Sequence, residues 1–121
     1  MNKHMKNRLA QVAGAAMVLS LAACSSPQKA PATADVAVSK NAVENAVSAG
    51  AADLAPAEIN AARDKMVRAN AALAAKDYTL ARDLASQAQA DAKLATSKAN
   101  SAKATAAAAA LDADLRVLQQ E

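Results

Sequence analysis

Few side chains in this sequence can do covalent or acid–base chemistry. There is one cysteine, Cys24, and one histidine, His4. A thiol can act as a nucleophile, bind a soft metal, oxidise or be acylated. A lone cysteine cannot close a disulfide within the chain. His4 lies in a basic leader, Met1 to Arg8, that carries Lys3, Lys6 and Arg8 and no acid. The remaining candidates are 11 carboxylates. Asp64, Asp83 and Asp91 sit beside bases or on polar helical positions. Asp112 and Asp114 are two residues apart and cannot share a helix face, so they do not form a paired acid site. The sequence contains no Gly-rich phosphate loop. This inventory argues against an enzyme, a bound metal or a small-molecule substrate.

Spacing directs the chemistry of Cys24 toward acylation. An apolar run from Leu9 to Ala23, broken only by Gln11, Gly14 and Ser20, follows the basic leader. It is short for a membrane span and has the layout of a secretory signal. It ends Leu21-Ala22-Ala23-Cys24, which matches the bacterial lipobox. That motif implies cleavage between Ala23 and Cys24, with a diacylglycerol on the sulfur and an acyl chain on the new amine. Several acyl chains anchor far more firmly than one. Ser25 after the cysteine resembles the sorting signal for the outer membrane, with the following domain facing the periplasm. Three of the 14 bases lie in the leader, so beyond it bases and acids balance and the net charge of +3 is a property of the leader. No basic patch remains for nucleic acid.

The rest of the chain must be built from helices. Of the residues, 54% are apolar, but 39 are alanine, so the larger apolar side chains are few for a globular core. Phe and Trp are absent, and Ala is the best helix former. Ser25 to Ala34, with Pro27 and Pro31, reads as a flexible tether. The expected organisation is a cleaved signal at 1–23, lipidated Cys24 with its tether at 24–34, and an α-helical hairpin domain at 35–121. The fold class is all-α: an alanine-rich antiparallel hairpin of two long helices plus a shorter N-terminal helix.

Local signals place the elements. A first helix is predicted from about Asp35 to Ala49, with Val36, Val43 and Val47 on one side and Gly50 as its stop. A second opens at Pro56, with Ile59, Ala62, Met66, Ala69 and Leu73 as its apolar stripe and Asp64–Arg68 as an i,i+4 pair. The short break at Lys76, Asp77 and Tyr78 forces an antiparallel turn, with Asp77 capping the next helix. The third helix runs from Tyr78 to at least Ala110 without Gly or Pro. Along it Ala85, Ala88, Ala92, Ala95, Ala99, Ala102, Ala106 and Ala109 alternate steps of three and four, a helix-packing seam of methyl groups. The second helix is short enough to cover the third only to about Lys98. Beyond that point, from Ala99 through Leu111, Leu115 and Leu118, the helix needs the first helix, another copy of the chain or solvent, and the three leucines more naturally call for a partner.

The run from Ala51 to Lys103 resembles bacterial envelope lipoproteins grouped as domain of unknown function 4398. Leu54-Ala55-Pro56 and Lys76-Asp77-Tyr78 carry the resemblance most specifically, with Lys76 standing where many relatives have Gly. It implies an outer-membrane or periplasmic α-hairpin and brings no catalytic residues. Ala71 to Ala88 also resembles one tetratricopeptide helix pair, but one pair is short of the three or more that bury a continuous core. Two functions follow as expectations. The first is a non-enzymatic outer-membrane lipoprotein, a structural, accessory or protein-binding module whose partners are the membrane, an envelope protein or itself. The second is an oligomeric alanine zipper that joins the outer membrane to the cell wall noncovalently.

Overall fold

A computed structural model of the chain describes residues 26–120. Those residues form four helices, α1 (Lys29–Ser48), α2 (Ala51–Leu54), α3 (Pro56–Ala74) and α4 (Tyr78–Gln120), with no strand among them. The all-α hairpin expected from the sequence is the α3–α4 pair. The N-terminal helix is not the shorter element that was expected, because α1 has 20 residues and α3 has 19. It lies along both other long helices, making a three-helix bundle.

Backbone chemistry explains each boundary. The helix α1 starts at Lys29, earlier than the predicted Asp35, so the segment from Lys29 to Ala34 is helix and not tether. Pro31 falls within the first turn, where the missing N–H has no intrahelical partner to lose. Ala32 donates its N–H to the Gln28 carbonyl at 3.1 Å and is fully buried. At the other end Gly50 takes a left-handed φ of 82° and donates to the Val47 carbonyl at 2.9 Å, closing α1 as its sequence position suggests. One turn, α2, then bridges to Ala55, whose φ of −145° and ψ of 55° lie outside the helical region that the following Pro56 disfavours. Pro56 is the first residue of α3.

Contacts fix the directions. In one layer of the core Val36, Met66, Ala69, Ala72, Leu84 and Ala88 meet; in the next, Ala46, Ile59, Ala62, Ala92, Ala95 and Ala99. Thus α1 runs parallel to α4, and α3 runs antiparallel to both. Apart from Val36, Ile59, Met66 and Leu84, every buried apolar residue described is alanine. Methyl-lined faces let helices approach toward the close end of the usual ~8–10 Å spacing. The predicted valine stripe of α1 is only partly its inner face. Val36 is buried and Val43 half-buried, but Val47 is exposed and Ser39 and Ala46 take the contact. Close packing on α4 selects small side chains over branched ones.

Candidate functional site

The turn residues Lys76, Asp77 and Tyr78 are built as the sequence suggests, with one strained member. Asp77 accepts the Leu80 N–H on Oδ1 at 3.1 Å, capping α4. Behind it the Asp77 N–H reaches the Ala72 carbonyl at 2.9 Å and the Lys76 N–H reaches the Leu73 carbonyl at 3.1 Å. This double closure of α3 requires a left-handed residue between the helices, and Lys76 supplies it at φ 63°. That torsion explains why glycine suits the position. Tyr78 is half-buried at the first turn of α4.

The alanine seam divides in two. Ala85, Ala88, Ala92, Ala95 and Ala99 are fully buried against α1 and α3. Ala102 is half-buried, and Ala106 and Ala109 are exposed. Most of the seam therefore holds this chain's own bundle together, and α1 does not extend to cover the remainder. The exposed stretch includes Leu111, Leu115, Val117 and Leu118. At 100° per residue the leucines lie on a different side of α4 from the seam. Cys24 and Ala23, the acylation and cleavage positions, lie outside the described residues.

Polar contacts tie the helices across the bundle. The Ser39 hydroxyl lies 2.7 Å from the Ala85 carbonyl on α4 and 2.9 Å from the Asp35 carbonyl in its own helix, and it is buried. Its role was missed from sequence, where a serine in a helix carries no burial signal. Arg82 Nε donates to Asp35 Oδ2 at 2.7 Å and Lys65 Nζ to Asp91 Oδ2 at 2.6 Å; Lys98 also pairs with Glu58. The expected Asp64–Arg68 pair is not formed among the described residues, whose ion pairs mostly join different helices. The Lys98 ammonium, assisted by the backbone N–H of Glu58, holds the Glu58 carboxyl below its ordinary 4.5.

Two open grooves lie beside these charges. An open groove of about 490 Å³ between α1 and α4 is lined by Asp35, Val38, Arg82 and Gln89, with its central acid and base already paired. A second groove farther along the same seam is lined by Asn41, Asn45, Lys93 and Thr96. Among the described residues no three His, Cys, Asp or Glu side chains are grouped to hold a metal ion. No described helix is long and apolar enough to cross a membrane.

Residues 34–111, more than half of the chain, match the family model described as Domain of unknown function (DUF4398). Neither a curated protein nor a solved structure matches the chain.

Proposed function

We propose, from the premise that the chain belongs to the Domain of unknown function (DUF4398) family, that it is a lipid-anchored helical module of the bacterial outer membrane. In this reading it is non-enzymatic and faces the periplasm, where it serves as a spacer or protein-binding element. The carrying observation is Leu21-Ala22-Ala23-Cys24 at the end of an apolar run behind Lys3, Lys6 and Arg8. The bundle geometry fits that role. Helix α1 begins at Lys29, five residues after Cys24, and its Asp35 pairs with Arg82 close to the hairpin turn. An anchor at Cys24 therefore holds the turn end of the bundle near the bilayer. Helix α4, with 43 residues, then carries its far end ~65 Å away.

The test is processing and fractionation of the full chain in a bacterial host, read by intact mass. The wild-type protein is expected to begin at Cys24, to carry acyl mass and to partition with outer membranes. Cys24→Ser should leave the precursor uncleaved or release the domain. Normal cleavage and membrane retention of that variant would overturn the proposal. Crosslinking and pull-down from intact cells then identifies what the module holds.

A further inference from the structure

The helix α4 carries a second heptad stripe, on the side turned away from α1 and α3. Steps of three and four from Leu94 pass Ser101 and Ala108 and reach Leu111, Leu115 and Leu118, meeting only Ser and Ala between. No charge falls on this stripe over more than three heptads, although α4 has acids and bases on both sides of it. Its leucines are open to solvent, at 48% for Leu94, 59% for Leu111, 48% for Leu115 and 66% for Leu118. The alanine seam lies on roughly the opposite side of the helix.

We infer that this leucine stripe, and not the alanine seam, is where a second copy of the chain docks, side by side, parallel and in register. The argument uses the anchoring at Cys24 proposed above. Copies anchored there in one leaflet all place the turn end of the bundle at the membrane, so they share polarity and set Leu111, Leu115 and Leu118 at one height. In that register each leucine meets its own counterpart, giving four leucine layers. An antiparallel pair on the same stripe reaches only two.

Neither the bilayer nor the chain's own N-terminal segment reaches the stripe. The leucine cluster lies ~50–60 Å along α4 from the turn, away from the anchored bilayer. The five residues from Cys24 to Gln28 span at most ~18 Å and start at the opposite end. One like-charge contact flanks the parallel pair, Lys93 against Lys98 of the second copy, and Lys98 is already held by Glu58. Four half-exposed leucines among Ser and Ala make a smaller interface than the about 1,200–2,000 Å² of a stable soluble complex. Confinement to a shared membrane raises the effective concentration and favours the pair.

Cysteine crosslinking in intact membranes of the full chain tests this. Acylation occupies the Cys24 sulfur, so an introduced thiol is the free one, and wild type serves as the control. Leu115→Cys and Leu118→Cys should each form disulfide dimers about tenfold more readily than Ala113→Cys on the opposite side, because only facing cysteines approach within about 7 Å. All three positions are exposed, so their thermal melts should match wild type. An equal or greater yield from Ala113→Cys would overturn the inference. So would no dimer from any variant, or Leu118→Cys joining a co-expressed Leu94→Cys in preference to itself. A wild-type chain that labels with a thiol reagent shows instead that the anchor reading has failed. The same cysteines are then placed in Cys24→Ser and read at high protein concentration, with the same outcomes deciding.

Discussion

Enlarging one alanine at a time along α4 measures where the intramolecular seam ends. Ala92 and Ala95 are fully buried between helices, whereas Ala106 and Ala109 lie on the same seam in solvent. Leu and Ala have nearly equal helix propensity, so Ala→Leu isolates packing from local preference. At Ala92 the added carbons must push apart helices that meet mostly through methyl groups, around Ile59, and the cost is about 2–3 kcal/mol. A domain of this size has ~5–15 kcal/mol to lose, and each kcal/mol lowers Tm by about 4–8 °C. The Ala92→Leu protein is thus expected to melt roughly 8–24 °C below wild type. Ala106→Leu and Ala109→Leu should stay within about 0.5 kcal/mol. Helical circular dichroism during heating and urea titration reads both, at dilute protein so that self-association does not contribute. Equal destabilisation at Ala92 and Ala106, or a tolerated leucine at Ala92, would refute the division of the seam.

Lys76→Gly removes a left-handed lysine and should raise stability by about 0.5–1 kcal/mol, seen as a higher urea midpoint at unchanged slope. Gly50→Ala should do the opposite by about 1 kcal/mol. Its new Cβ meets Lys103 at an ordinary 3.5 Å, so the cost is torsional and not steric. The Glu58 carboxyl is held below 4.5 in the folded protein, so its pairing with Lys98 adds stability that is present above that pH. This contribution disappears as pH falls through the lowered value, and a Glu58→Gln melt series should lack that part of the acid dependence. Ser39→Ala should cost about 0.5–1.5 kcal/mol, because the hydroxyl bond to the Ala85 carbonyl is lost while both carbonyls keep their place in helices.

What could be read from the sequence was what the backbone decides locally. Gly50 ends a helix by its φ, Pro56 opens one, and Asp77 caps the next with its own oxygen. None of these depends on what lies across the bundle. The start of α1 departs from the predicted Asp35 because the Pro-containing segment 25–34 reads as a tether, whereas a first-turn proline costs no hydrogen bond. The inner face of α1 departs from the predicted stripe for another reason. Valines gave the visible periodicity, but contact with an alanine-faced helix prefers Ser39 and Ala46.

The alanine seam exposes the deeper limit. With 39 alanines, stripes with three-and-four spacing can be drawn along several sides of α4, and composition does not say which one is buried. Burial is a property of the pair, so the deciding information lies in the lengths of the opposing helices. Helix α3, at 19 residues, spans ~29 Å of the ~65 Å of α4, so cover must run out partway whatever the pattern does. That arithmetic placed the limit near Lys98, and Ala99 is the last fully buried residue of the seam. Past it the same repeat continues in solvent, and the bulky apolar residues move to another side of the helix. An alanine repeat therefore sets how closely two helices can lie, while the length of the shorter one sets for how long. The leucines beyond that limit are the part of α4 that its own chain does not use.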